Sequence, residues 1–282
     1  MKKLSIPNDR VFWCILPSII LLAIFFVYPI LTMMQASVFD PYPTAVHFIK
    51  FVSKNLYWHI LLNTVLISLM TMGICAVVGY PAAYYLAHCD PRRRPYYIFL
   101  ILLPLWVSIL IRSYSWMVLL GREGLLNVLF QLVGLTSEPV QMLYTTGAVY
   151  LAMVQIMLPI MILTCYSVMS EIQYDIVRAA RTLGAGRWNA FRHVYFPLSL
   201  PGVRNGSIII FILSMGYFIT PALVGGRKDM MIGNLIVFQI NELADWEFAS
   251  AIGVVLLAVT LLVSVAIKKV IEWMSPYVDE RN

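Results

Sequence analysis

Residues 55–89 read NLYWHILLNTVLISLMTMGICAVVGYPAAYYLAHC, a run without one Asp, Glu, Lys or Arg. A helix needs roughly 20 mostly apolar residues to cross a hydrocarbon core of about 30 Å. The run exceeds one thickness but is too short for two spans and a turn, so it reads as a single membrane-spanning helix. Residues 11–39, 139–170, 205–226 and 248–267 are equally free of charge, and 95–121 is interrupted only by Arg112. Six windows result, each sufficient for one span. The alternating segments of about ten residues that build an outer-membrane barrel are absent.

Composition supports the same class. Residues of the AVILMFWYC set make up 61%, charged residues 12%, and mean hydropathy is +0.82. A soluble domain has about 45–50% apolar and about 25% charged residues, so this chain cannot clothe a globular surface. Glycine and proline at 15 each and four cysteines exclude collagen, disorder and a disulfide scaffold. Cys14, Cys75, Cys89 and Cys165 show neither CxxC nor metal-ligand spacing. The first window follows Lys2, Lys3 and Arg10, yet it outruns the roughly 7–15-residue core of a signal peptide and lacks an A-x-A site. It reads as a retained helix, and residues 1–282 as one transmembrane domain.

Orientation follows from lysine and arginine. With the N-terminus inside, inner segments hold Lys2, Lys3, Arg10, Arg92, Arg93, Arg94, Arg178, Arg181, Arg187, Arg192, Arg204, Lys268, Lys269 and Arg281, fourteen of the 20 basic residues. The outer side keeps Lys50, Lys54, Arg112, Arg122, Arg227 and Lys228. Both termini are therefore expected in the cytoplasm, and topology explains the basic balance without a nucleic-acid partner. Trp58, Trp116 and Trp246 fall near the outer boundary and Trp13, Trp188 and Trp273 near the inner one, as an interfacial belt requires. Pro17, Pro29, Pro81, Pro104, Pro159 and Pro221 fall within spans. They read either as ordinary kinks or as bends that open a path.

Much chemistry is missing. There is no GxxxxGK[ST] nucleotide loop, no HExxH, and no Ser–His or paired-carboxylate set at membrane depth. No catalytic residue, metal site or cofactor is expected. Ion-coupled carriers place ionisable groups near the midplane; here only Arg112 breaks an apolar interior. Energy for transport is thus expected from another subunit.

The segment 171–197, on the basic side, is the most informative. Ile172, Ile176, Ala179, Ala180 and Leu183 recur with helical spacing, opposite Asp175, Arg178 and Arg181. Gly184-Ala185-Gly186 breaks that helix. A second short helix with Trp188, Phe191, Val194 and Tyr195 is expected to end at Pro197. Residues alone leave open an interfacial helix lying on anionic lipid.

The spacing resembles the EAA loop of ABC importer permeases, E-A-A-x3-G-x9-I-x-L-P. Here it runs Arg178-Ala179-Ala180, three residues, Gly184, nine residues, then Val194-Tyr195-Phe196-Pro197, with Arg178 in place of the usual Glu. Three further stretches look like the spermidine/putrescine branch. They are Pro104-Leu105-Trp106 through Arg112, Tyr114 and Trp116 to Gly124, Tyr217 through Gly226, and Asn241-Glu242 through Trp246-Glu247-Phe248-Ala249-Ser250-Ala251.

The resemblance implies an all-α polytopic protein of the bacterial inner membrane, with six transmembrane helices and the type I ABC importer permease fold. It implies that Arg178, Ala179, Ala180, Gly184, Val194 and Pro197 belong to a coupling loop that docks in a groove of a cytoplasmic ATPase. It further implies two ATPase subunits, a second permease, a periplasmic binding protein, and a polyamine as substrate. A permease for another small charged solute, a secondary carrier and a membrane-anchored assembly protein are the alternatives.

Candidates for the path follow. Trp106, deep in its window, either packs a helix or offers a π face to an amine, with Tyr114 and Tyr217 as further aromatic surfaces. Arg112 either anchors its helix or gates the path. Glu242, Asp245 and Glu247 either draw a polycation to the outer mouth or form a solvated loop.

Overall fold

The computed structural model describes residues 9–40 and 42–273, with side chains from residue 16 onward except at 40, 42, 43 and 174. Lys2, Lys3 and Arg281, and the side chains of Arg10, Trp13 and Cys14, lie outside the described residues. The chain divides into two compact units. One comprises the residues up to Asn55 with Ile236–Val255, the other Leu56–Leu235 with the residues from Leu256.

In the first unit, helix α1 spans Leu16–Val38. Its middle, Ala23–Val27, widens into a π-turn in which the Tyr28 N–H donates to Ala23 O. Pro29 lies just beyond and has no N–H to give, so the wider turn makes room for its ring. Phe25, Phe26 and Leu31 are exposed along α1, a surface suited to hydrocarbon. Strands β1 (Phe39–Asp40) and β2 (Tyr42–Pro43) form a minimal antiparallel pair, and α2 follows at Val46–Ser53.

The second unit begins in α3, Asn55–His88, which runs unbroken through Pro81. Next come α4 (Arg94–Leu102), a 3₁₀ turn at Leu103–Trp106, α5 (Ile109–Leu120) and α6 (Leu125–Leu132). Then follow α7 (Thr146–Glu171), α8 (Tyr174–Thr182), α9 (Arg187–Met215) with a π-turn at Phe191–Tyr195, and α10 (Ile219–Val224). Helices α11 (Ile232–Asn241) and α12 (Trp246–Trp273) contribute residues to each unit.

Among the described residues five helices are long and apolar enough to cross a membrane, and a sixth arises if Arg94–Trp106 and Ile109–Leu132 count as one bent span. Two windows need correction. Residues 95–121 do not form one straight helix: the axis turns by 91°. Pro104 cannot donate to the preceding turn, the backbone extends at Val107 and Ser108, and α5 starts afresh. Nor does residues 205–226 mark the fifth span, because α9 starts at Arg187 and stops before Gly216. Arg204 lies inside it, its guanidinium 3.0 Å from Glu272 on α12, so a neutralised charge is carried within the helix.

The centre of this unit is the pairing of α7 with α9. Gly202 and Gly206, four apart, bring the two backbones together: a Cβ on Gly202 would lie 2.9 Å from Cys165 Cα, and one on Gly206 2.8 Å from Met161 Sδ. Small residues at this spacing permit the close packing on which membrane helices depend, since lipid offers no hydrophobic gain. Thr145 caps α7, its hydroxyl accepting the Ala148 N–H.

Candidate functional site

The segment from α8 into α9 folds as a hinged pair. Helix α8 ends in a double hydrogen-bonded reversal, with Ala185 N–H donating to Ala180 O and Gly184 N–H to Arg181 O. This closure places one residue in the left-handed region, and Gly184 occupies it at φ +93°. Gly186 precedes the first turn of α9, whose Ala190 N–H reaches back to Gly186 O.

The face that α8 turns inward is not the whole apolar set expected from spacing. Val177 is buried and Ala180 half-buried, packed with Ala190 and Tyr195. Ile176, Ala179 and Leu183 point outward, Leu183 being 89% exposed, and Trp188 beside them is 67% exposed. The set splits because a nine-residue helix wedged under α9 can bury only one narrow stripe. Arg178 is exposed and stands 3.7 Å from Asp175. The second helix does not end at Pro197. The chain passes through the π-turn into the rest of α9, where Pro197 sits within the first two residues after the turn, and the wider turn accommodates its missing donor. Val194 and Pro197 are half-buried.

Aromatic rings tie this segment to α3. Tyr84 meets Phe191 at 5.9 Å and Tyr195 at 5.2 Å, both edge-on, and His88 lies 5.4 Å from Tyr195. Tyr80 and Ser199 share a hydrogen bond of 2.8 Å.

The path candidates divide. Trp106 is not deep in a helix: it closes the 3₁₀ turn at the bend, edge-on to Phe99 at 5.6 Å and 73% exposed. Tyr114 is exposed on α5. Arg112 is largely enclosed, and its Nε and Nη1 atoms have no hydrogen-bond partner among the described residues. Next to Arg112, Ser113 and Thr220 share a buried 2.9 Å hydrogen bond that fixes α5 to α10. The structure thus half-buries Arg112 and Tyr217 and leaves Trp106 and Tyr114 on the surface.

The three carboxylates differ as well. Asp245 is engaged: Lys50 Nζ donates to Oδ2 at 2.8 Å, the Phe248 N–H donates to Oδ1 at 3.0 Å, and the Lys50 ammonium lies 3.9 Å over the Phe248 ring. Partial burial raises the Asp245 carboxyl, but the Lys50 and Phe248 hydrogen bonds outweigh it and hold the group below its ordinary value. Glu242 is exposed and Glu247 half-buried.

No pattern in the sequence singles out Asp229. It is 3% exposed, accepting from Thr146 Oγ1 at 2.6 Å and from Gly226 N at 2.8 Å. The loop after α10 is thereby fastened to the start of α7, where a negative charge suits the helix dipole. The available signal was an acid three residues after Gly225-Gly226, a turn position, between Lys228 and an apolar run.

Residues 79–274 match the family described as Binding-protein-dependent transport system inner membrane component. The chain belongs to that family. It is 32% identical over 256 residues to the spermidine/putrescine transport system permease protein PotB of Haemophilus influenzae, covering 90% of this chain and 88% of that protein. Against PotB of Escherichia coli it is 34% identical over 201 residues, covering 71% and 73%. A chain in the crystal structure of a bacterial alginate ABC transporter, in complex with an alginate-bound periplasmic protein, shares the fold, with a TM-score of 0.73 at 18% identity over 94% and 95% of the two chains. The protein is thus a polytopic, all-α ABC importer permease, an inner-membrane transport component. The match to the inner-membrane component family takes in the end of α3, the bend at Trp106, the α8–α9 segment, Arg112, Tyr217 and the three carboxylates. Helix α1, the β1–β2 pair and Lys50 lie before it.

Proposed function

We propose that this chain is the permease subunit of an ATP-driven importer of polyamines, spermidine or putrescine. The observation that carries the reading is the α8–α9 segment: a glycine-hinged turn whose outward face, Ile176, Ala179, Leu183 and Trp188, is apolar and unburied within its own chain. An apolar stripe of that spacing suits a helix that lies in a partner's groove. The partner is a cytoplasmic ATPase, present as two subunits. A second permease, a paralogue of this chain, completes the membrane part, and a periplasmic binding protein delivers the solute. Residues 171–197 form the coupling loop. Arg178, Ala179, Ala180 and Gly184 meet the ATPase, while Val194 and Pro197 set the angle at which the loop leaves α9. The subunit performs no catalysis itself. Both termini face the cytoplasm, and membrane lipid surrounds α1.

Polyamine as substrate rests on the PotB relatives. Within this chain Glu242 and Glu247 supply negative potential at the outer mouth, and Tyr217, Trp106 and Tyr114 supply π faces. Arg112 acts as a gate, since a cation does not bind a polyamine ammonium directly. The test is co-purification of the ATPase with the chain, followed by uptake of labelled spermidine and putrescine by the reconstituted complex. Uptake of neither, with a bound ATPase, removes the substrate assignment and leaves the importer.

A second reading, a permease for another small charged solute, is favoured by one observation. The Nε and Nη1 atoms of the half-buried Arg112 have no hydrogen-bond partner among the described residues, while Asp245 is neutralised by Lys50. Uptake of an anionic or zwitterionic solute in the same reconstitution would select it.

A further inference from the structure

Arg204 of α9 and Glu272 of α12 meet at 3.0 Å, each side chain 26% exposed. The pair closes a seam. Ile208, Phe211 and Met215 follow Arg204 at helical spacing along one face of α9, and they gather with Val263, Ile267 and Ile271 of α12 in one apolar cluster. On the opposite face of α9, Gly202 and Gly206 press against α7. A short stretch of α9 is therefore held from two sides, about 26 Å along the helix from its start at Arg187.

The seam and the ion pair hold α9 in different ways. Apolar contacts are non-directional, and in lipid they gain nothing from the exclusion of water, so the cluster alone does not fix how far α9 stands along α12. An arginine and a carboxylate do fix it. A slip of one helical turn, about 5.4 Å, would part them and leave a half-buried guanidinium uncompensated. Lys268, one turn back on α12, lies 3.7 Å from the same carboxylate. Glu272 thus keeps a partner when the helices separate, and the penalty falls on Arg204.

We infer that Arg204 and Glu272 are positioning residues for transport, fixing the register of α9 on α12 so that both helices move as one body when the α8–α9 turn is displaced. The inference rests on the ATP-driven reading of that turn. The pair acts through helix position and not on the solute. A role confined to stability is separable from this one. Replacing a partly buried ion pair by apolar side chains is commonly neutral or stabilising, so Arg204→Met/Glu272→Met keeps the packing and removes the register.

The test uses the reconstituted complex with its ATPase and binding protein, and reads labelled spermidine taken up per ATP hydrolysed. That ratio does not depend on how much protein is folded, because both rates scale with the active fraction. Arg204→Met/Glu272→Met is expected to keep the parent's unfolding temperature and to lower the ratio about fivefold, a coupling change of ordinary size. The exchange Arg204→Glu/Glu272→Arg, made with Lys268→Gln so that no like charge faces the relocated arginine, should recover most of the loss. Lys268→Gln alone leaves the pair intact and should match the parent. A second readout needs no solute. Spin labels at Asn189 and Leu262, both exposed, are placed in a background without the native cysteines. Their separation should be the same with and without ATP in the parent and should change with ATP in the double methionine variant. A parent-like ratio in that variant, no recovery in the exchange, or a parent separation that shifts with ATP would overturn the proposal. A parent complex that neither retains the ATPase nor hydrolyses ATP removes the importer reading and the proposal with it, so the parent alone tells the two failures apart.

Discussion

Lys50 and Asp245 are 195 residues apart in the sequence and 2.8 Å apart in space. The same carboxylate accepts the Phe248 N–H in the first turn of α12, so Asp245 is at once an ion-pair partner and a helix cap. The two roles separate by substitution. Asp245→Asn keeps a good cap and removes the charge, and should cost about 0.5 kcal/mol, the usual value of a partly exposed pair. Asp245→Ala removes both and should cost about 1–2 kcal/mol. Thermal unfolding of the purified protein reads the difference; equal losses would refute the capping role.

The same group sets a pH dependence. The folded-state carboxyl is held below its ordinary value, so its stabilisation is complete above the unfolded pKa of about 3.9 and fades as pH falls through the lower, folded value. Unfolding followed from pH 6 downward should show the parent losing its margin over Asp245→Asn only below about pH 4. A margin that already vanishes near neutrality would be inconsistent with the pair.

Gly184 has open space where a Cβ would go, so what opposes substitution is backbone conformation. A β-branched residue at φ +93° costs roughly 1–2 kcal/mol locally. Gly184→Val should insert normally and lose ATPase co-purification. Gly184→Asn, which tolerates the left-handed region, should retain more of it. Equal retention in both would remove the turn from the docking reading.

Gly206 poses the opposite problem. A Cβ there collides with Met161 and Thr164 in the packed centre of the second unit, and overpacking costs about 1–3 kcal/mol. Gly206→Val should lower the unfolding temperature without changing affinity for the ATPase. A stable variant would show that α7 and α9 can separate freely.

Topology is tested at Asn189 and Lys228, both exposed. Asp229, though adjacent, is buried and unsuited to labelling. In a background without the four native cysteines, Lys228→Cys should react with an impermeant reagent from outside and Asn189→Cys should not. The reverse pattern would invert the orientation.

The spans were legible because long stretches without charge leave a chain few alternatives. The limits were less so, for identifiable reasons. Counting from Asn205 assumes that an arginine ends a span, yet Arg204 is carried inside α9 by Glu272, a partner 68 residues away. The bend near Trp106 depends on one missing donor at Pro104, and Pro81 in α3, with the same defect, leaves its helix intact. Nothing local distinguishes the two prolines; the surroundings do. The turn at Gly184 was readable from Gly-Ala-Gly, but which apolar residues of α8 face outward depends on what lies beneath it. Asp245 looked like an attractor because its neutralising lysine sits at the other end of the chain. Asp229 has no signature in the sequence because a single acid in a loop carries no periodicity.

Helix α9 passes from the Gly184 turn to Gly216 without a break, 29 residues in one piece. At about 1.5 Å per residue it is a rod of about 43 Å, and a tilt of about 10° at one end displaces the other by about 7 Å. Trp188 rides near one tip and Tyr217 follows the other. A push on the outward face of the turn would therefore reach Tyr217 as leverage, with no relay of side chains between. The π-turn at Phe191–Tyr195 is a place where such a lever can give, and a flexure there would spend the stroke before it arrived.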